Sequence, residues 1–405
     1  MSLDKIESQL TKHLAELGSK GILKSKENVI AGIKSAEQGF SERYLLEGYG
    51  DRAFLRMNSN GYLGLALHPQ VIAAEAKAAE QFGTGPGAVR FISGTFQPHV
   101  ELEQKLAAFH RREAAMIMSS AYATVMGVLP QFITEDTLVV SDALNHNCII
   151  NAIRLSRPKS KAVYPHLDMV ELDRQLKNNK GKAKRVCVVT DGIFSMRGDH
   201  APLDKIIEIC NQHESDYEEG ILSIVDDSHG VGAFGDAGRG TEEYTNTQAD
   251  ILIATLGKAF GVNGGYVVAN AQVINYLRET TPFYIYSNSI TPAEAAAAIK
   301  SLTILDSEEG RKLLEKLRNL IARLKAGLES LGFETISGDH PIVPILLRDT
   351  KKTSALVKHL FDNNILVTGL NYPVVPKGEE EIRLQISASQ TAKDIDHLLE
   401  VLKYF

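Results

Sequence analysis

Between residues 51 and 292, short apolar runs alternate with stretches whose apolar residues recur at helical spacing. The runs are Ala115-Met116-Ile117-Met118, Leu138-Val139-Val140, Arg185-Val186-Cys187-Val188-Val189, Ile221-Leu222-Ser223-Ile224-Val225, Ile251-Leu252-Ile253-Ala254 and Gly265-Tyr266-Val267-Val268. Runs of this length read as buried strands, and their alternation with helices predicts an α/β domain around a mostly parallel sheet. Ahead of it, residues 1–50 read as an N-terminal arm, with one helix over residues 3–17 and a loop to Tyr49. Behind it, a helical stretch starts near Pro292, carries the alanine run 295–298, and resumes after Ser307-Glu308-Glu309-Gly310 through Leu331. That stretch links to a smaller α+β unit, so that residues 293–405 form a C-terminal small domain. Its expected strands lie at 342–347, 365–367 and 382–386, and its helices at 353–362 and 391–404.

Two of the apolar runs end in residues that carry chemistry. Ile251 to Ala254 leads into Thr255-Leu256-Gly257-Lys258-Ala259-Phe260-Gly261, a lysine among small residues at the carboxyl end of a strand. Open α/β sheets bind ligands there, and such a lysine can form a Schiff base. Ile221 to Val225 leads into Asp226-Asp227-Ser228-His229. Neighbouring parallel strands would bring Asp226, His229 and Lys258 to one rim. Singly, Asp226 could cap a turn and His229 could be a satisfied core histidine. Together they match the needs of pyridoxal phosphate: a carboxylate to keep the ring nitrogen protonated, a histidine beside the phenolic oxygen, and an amine for the aldehyde carbon.

Composition narrows the field without choosing an activity. The 405 residues suffice for a large domain and a smaller one, and a net charge of −6 argues against nucleic acid as a partner. No apolar run approaches a membrane span, so no membrane partner is expected. Cys148, Cys187 and Cys210 are odd in number and lack metal-ligand spacing, which points to a reduced, cytoplasmic setting and to no metal site. The first residues, 1–20, are mixed-charge and amphipathic, unlike a signal or transit segment.

With these residues in place, the chain resembles the α-oxoamine synthases, fold-type I pyridoxal-phosphate transferases. The resemblance runs from about Asn58 nearly to the C-terminus. It rests on Asn60-Gly61-Tyr62-Leu63-Gly64-Leu65, Gly83-Thr84-Gly85, Arg90-Phe91-Ile92-Ser93-Gly94-Thr95, His99-Val100-Glu101-Leu102-Glu103, Ser141-Asp142-Ala143-Leu144-Asn145-His146, Thr190-Asp191-Gly192-Ile193-Phe194-Ser195-Met196 and the two segments above. It implies pyridoxal 5'-phosphate as cofactor, with Lys258 as the Schiff-base lysine and His146 stacked on the ring. Ser195 is implied near the phenolic oxygen, and Ala121 and Tyr122 at the phosphate with the Thr255 hydroxyl. Ser287 and Asn288 resemble a segment that reaches the phosphate from a neighbouring subunit, which implies a homodimer with shared sites. Arg383, in an otherwise largely apolar strand, matches the arginine that binds the amino-acid carboxylate, with Asn60 as a second contact.

The implied reaction joins an amino acid to the acyl group of an acyl-CoA. Asp142-Ala143-Leu144-Asn145-His146, Asp226-Asp227-Ser228-His229, Phe283-Tyr284-Ile285-Tyr286-Ser287-Asn288-Ser289 and Tyr372-Pro373-Val374-Val375-Pro376-Lys377-Gly378 look closest to the glycine C-acetyltransferase branch, which implies glycine and acetyl-CoA as substrates. The 8-amino-7-oxononanoate synthase and serine palmitoyltransferase branches share most of these residues. An aminotransferase-like enzyme and a silent binding subunit are the alternatives of other classes, and the intact Lys258, Asp226 and His229 speak against the second. Gly61, Thr124 and Arg197 depart from the family pattern. Arg197 could attract an anionic acyl group or CoA phosphates, or could simply be solvated.

Overall fold

The computed structural model describes residues 2–19, 27–372 and 375–405. The start of the expected loop, residues 20–26, and the Pro373-Val374 pair in the Tyr372 to Gly378 phrase lie outside the described residues. Where a loop to Tyr49 is expected, the chain forms β1 (Ile30–Lys34) and β2 (Arg43–Leu46), antiparallel to each other. β3 (Ala53–Arg56) continues this sheet. These strands are short and mostly exposed or half-buried, so no apolar run marks them in the sequence.

The large sheet has seven strands: β4 (Ala114–Met118), β5 (Thr137–Asp142), β6 (Ser160–Tyr164), β7 (Arg185–Asp191), β8 (Ile221–Asp226), β9 (Ile251–Thr255) and β10 (Gly265–Ala269). Their spatial order is β4-β10-β9-β8-β7-β5-β6, and only β10 runs antiparallel to its neighbours. All the predicted strands of this domain are present. β6 is an addition, a largely exposed edge strand whose Ser160-Lys161 start hides it among polar residues.

Both faces of the sheet are covered, which explains why the runs are continuous rather than alternating. Successive residues enter opposite cores. Ile117, Val140, Val188, Val225, Leu252 and Tyr266 join one cluster, while Met116, Val139, Val189, Ile224, Ile253 and Val267 join the other. The helices Pro292–Leu305 and Glu308–Ser330 follow, with Ser307 capping the second.

The C-terminal strands are β11 (Ile342–Leu346), β12 (Ile365–Leu366), β13 (Thr368–Leu370) and β14 (Glu381–Gln385). The single strand expected at 365–367 is divided. β12 pairs in parallel with β3, and β13 pairs antiparallel with β14, so the chain changes sheets within a few residues. β14 lies between β11 and β13, which carries Arg383 into the centre of the smaller sheet.

Candidate active site

The neighbouring parallel strands β5, β7 and β8 each finish on an aspartate, Asp142, Asp191 and Asp226, and Asp191 and Asp226 face each other in register. β9 finishes on Thr255, and the turn beyond it carries Lys258, whose carbonyl accepts from Gly261 N (3.0 Å). A cavity of about 250 Å³ opens at this rim. Ala121, Tyr122, His146, Ser195, Asp226, His229, Thr255 and Lys258 all line it. The helix starts and strand ends that the sequence separates by more than a hundred residues thus converge on one hollow.

Asp226 is held rigidly. Its Oδ1 accepts from the Ser228 hydroxyl (2.5 Å) and the Ser228 amide (3.1 Å), and its Oδ2 accepts from the Cys148 thiol (3.6 Å). Asp191 accepts the His146 backbone N–H at 2.8 Å. Burial, and then the charge of Asp226, raise the Asp191 carboxyl well above the usual carboxylate range. Burial thus favours the protonated form of Asp191. Lys258 is lowered to about 8 because burial outweighs the pull of Asp226 and Asp191. A neutral amine is thus accessible near physiological pH.

The two histidines are neutral. Burial lowers His146 against the attraction of Asp226, and its Nδ1 accepts from Cys148 N (3.3 Å), capping the helix Asn147–Ser156. Burial lowers His229 well below its ordinary value, and the charges of Lys258 and Arg383 add to this. His229 Nδ1 lies 2.7 Å from the Tyr62 hydroxyl, while the His340 Nε2 sits 2.8 Å from the His229 carbonyl. A Tyr62 hydroxyl that donates to Nδ1 fixes the tautomer with the proton on Nε2, the one able to donate to an oxygen in the cavity. Asn60 Oδ1 lies 3.2 Å from the same hydroxyl and accepts from Arg383 Nη2 at 3.1 Å. Asn60 and Arg383 do not line the cavity itself; Arg383, which also hydrogen-bonds the Tyr62 side chain, connects them to it.

The site suits a phosphate-bearing ring. Ser120 caps the helix Ala121–Phe132 by accepting from Ala123 N (3.1 Å), which leaves the N–H groups of Ala121 and Tyr122 without intrahelical partners at the cavity edge. Gly265 at the start of β10 is the reason the turn can sit so close, because a Cβ there would lie 2.3 Å from Ala121 N. The Thr255 hydroxyl already donates to the Gly264 carbonyl (3.1 Å) and accepts from Gly257 N (3.0 Å), so serving a phosphate requires its proton to turn. Ser287 is half-buried and Asn288 exposed after the short helix Pro282–Ile285, and neither lines the cavity of its own chain.

Beside this hollow lies a larger cleft of about 570 Å³, and Ser195 lines both. Its walls include Phe194, Met196, Arg197, Ile336, Arg348 and Glu381. Arg197 is not simply solvated, since its Nε bonds Asp199 Oδ2 at 2.8 Å. Sequence reasoning gave no role to Asp191, Tyr62, Cys148 or His340. For Asp191 the signal was present, a carboxylate closing an apolar run just as Asp226 does. Among the described residues no helix is long and apolar enough to cross a membrane, and no cluster of three or more His, Cys, Asp or Glu side chains could hold a metal ion.

The chain is similar to known proteins. The family described as aminotransferase class I and II matches residues 52–402. An 8-amino-7-oxononanoate synthase from Thermosipho melanesiensis is 38% identical over 348 residues, 85% of this chain and 86% of that protein. The mitochondrial 2-amino-3-ketobutyrate coenzyme A ligase of Bos taurus is 36% identical over 405 residues, 97% of this chain and 93% of that protein. A solved structure described as SPT with its PLP internal aldimine superposes with a TM-score of 0.87 at 27% identity, covering 99% of this chain and 97% of that one. These relatives support the 8-amino-7-oxononanoate synthase branch better than the glycine C-acetyltransferase branch, since synthases of the former kind match at 38% and 39% identity and the ligase at 36%. The chain belongs to the aminotransferase class I and II family and, within it, to the α-oxoamine synthases, acyltransferases whose cofactor is pyridoxal phosphate.

Proposed function

We propose that the protein condenses glycine with acetyl-CoA to give 2-amino-3-oxobutyrate and CoA. The observation that carries a two-substrate condensation is the placement of Ser195, which lines both the 250 Å³ hollow and the 570 Å³ cleft. One space suits the cofactor with its amino acid, and the other suits a thioester donor. Pyridoxal phosphate supplies an electron sink for a carbanion at the amino acid's α-carbon. Arg383 and Asn60 hold the carboxylate, and the neutral Lys258 Nζ takes the α-proton. The α-carbon then bonds to the acyl carbon, the carbon–sulfur bond breaks, and CoA leaves as a thiolate that takes up a proton. Asp226 would hold the proton on the ring nitrogen, and His229 would donate to the phenolic oxygen through Nε2.

Identity with the Thermosipho relative supports a second reading, 8-amino-7-oxononanoate synthase. Thiol release measured with glycine, serine and alanine against short, dicarboxylic-derived and long acyl-CoAs separates the branches. Glycine with acetyl-CoA is expected to turn over fastest; another best pair transfers the assignment to its branch. Amino-group transfer to a keto acid without thiol release would overturn the condensation altogether. The resemblance of Ser287 and Asn288 further supports a homodimer with phosphate contacts across the interface, so specific activity should fall on dilution into the monomer range. An undiminished monomer activity removes that reading.

Arg383 offers a test of the substrate carboxylate. A guanidinium makes two parallel hydrogen bonds to a carboxylate where an ammonium is a point charge. Arg383→Lys should raise the amino-acid KM roughly tenfold or more while leaving the acyl-CoA KM nearly unchanged. An unchanged amino-acid KM would mark Arg383 as structural and shift attention to Asn60.

A further inference from the structure

Glu381 opens β14 two residues before Arg383 and so shares its face of the strand. Its side chain lines the 570 Å³ cleft, yet the residue is only 3% exposed. Its Oε1 is fully buried and meets no hydrogen-bond partner in the protein. A buried, unsatisfied carboxyl oxygen costs on the order of 1–3 kcal/mol, so its persistence at the wall of a substrate cleft calls for a reason.

The charges around it supply one. Arg197 is engaged by Asp199 (2.8 Å), and Arg348 by Glu334 (Nε to Oε2, 3.1 Å). Asp199 also meets His166 Nε2 at 3.3 Å, and His166, pushed up to about 9 by its two aspartates against burial, is cationic at neutral pH. His166 in turn meets Asp142 (3.0 Å), so this cluster balances its own charge. Arg383 is directed to Asn60 and, in the proposed reaction, to the amino acid. Glu379 and Glu381 form no ion pair among the described residues, so the cleft wall sets three carboxyl groups, Glu334, Glu379 and Glu381, against two guanidiniums, Arg197 and Arg348, that are each already paired with a carboxylate.

We propose that Glu381 is a specificity-determining residue: it turns away acyl-CoA donors whose acyl group ends in a carboxylate and admits those whose acyl group is uncharged. This rests on the reading of the cleft as the place of the acyl donor. Burial raises the carboxyl to about 7 against the pull of Arg383 and Arg197, and Glu379 and Asp199 add to the rise. The sign of the pH effect follows. Below pH 6 Glu381 is largely neutral and discriminates little; as pH rises through about 7 it ionises, and an anionic acyl end is repelled.

The test compares butyryl-CoA with succinyl-CoA, two four-carbon acyl groups that differ in one terminal carboxylate. The ratio of their kcat/KM values is read from pH 6 to 8.5 in wild type and Glu381→Gln. Because the ratio is internal to each protein, a general loss of folded enzyme or of Lys258 function cancels. In wild type the preference for butyryl-CoA should grow with pH. In Glu381→Gln the succinyl-CoA value should rise on the order of tenfold at pH 8, with butyryl-CoA changed less than about twofold and the ratio flat with pH. A wild-type preference for succinyl-CoA, or an unaltered ratio in Glu381→Gln, overturns the inference and leaves the condensation standing. If neither donor nor acetyl-CoA releases thiol, it is the condensation that fails.

Discussion

Lys258→Ala is expected to lower thiol release at least about a thousandfold, because the one side chain would serve both as the covalent anchor and as the proton acceptor. The same variant should lose the borohydride-reducible attachment of pyridoxal phosphate while still binding it through Asp226, His229 and the helix start at Ala121. A reducible adduct that survives in the variant sinks the assignment. The position of Lys258 also fixes a pH dependence. Burial lowers the amine from the ordinary lysine range to about 8, despite the attraction of Asp226 and Asp191. Only the neutral amine attacks an aldehyde, so the rate at which apoprotein captures pyridoxal phosphate should rise with pH and level off above about 8. Stopped-flow absorbance measures it. A rate still climbing steeply at pH 10 would show that the lysine is not desolvated as its burial implies.

How far the sequence reveals this arrangement depends on the kind of signal each part leaves. β8 and β9 were legible because strands buried on both faces need continuous apolar runs, and the residues that end those runs must lie at the rim. The N-terminal strands were not. β1 and β2 are five and four residues long with few buried positions, so their pairing with β3 depends on contacts no local pattern records. The stretch near residue 365 reads as one strand, but its residues serve two sheets, β12 against β3 and β13 against β14. Within the site, Lys258, Asp226 and His229 could be placed together from strand logic alone, whereas the phosphate, ring-stacking and carboxylate residues came only with the family resemblance. Glu381 shows the limit most clearly. In Glu379-Glu380-Glu381 it looks like part of a solvated acidic run, and only the placement of β14 between β11 and β13 shows it to be buried.

Asp226→Asn should separate cofactor binding from catalysis. The carboxylate stands at the end of β8 with Ser228 and Cys148 donating to it, so it is oriented before any ligand arrives. Its facing neighbour Asp191 is raised well above the usual carboxylate range by burial and then by the charge of Asp226. An asparagine of the same shape keeps the packing but removes that charge, and with it the force that holds a proton on the ring nitrogen. Each unit lost from the acidity constant of that nitrogen corresponds to about 1.4 kcal/mol, so a loss of two or three units predicts a fall in kcat on the order of a hundred- to a thousandfold. Occupancy should change far less, because the helix N-terminus at Ala121, the Lys258 amine and His146 are untouched. Exchange of the glycine α-proton into deuterated solvent, followed by NMR without any acyl-CoA, isolates the step. A variant that exchanges at the wild-type rate would show that Asp191, 2.8 Å from the His146 amide and facing Asp226, can assume the charge, and Asp191→Asn combined with Asp226→Asn would then be the pair that abolishes exchange.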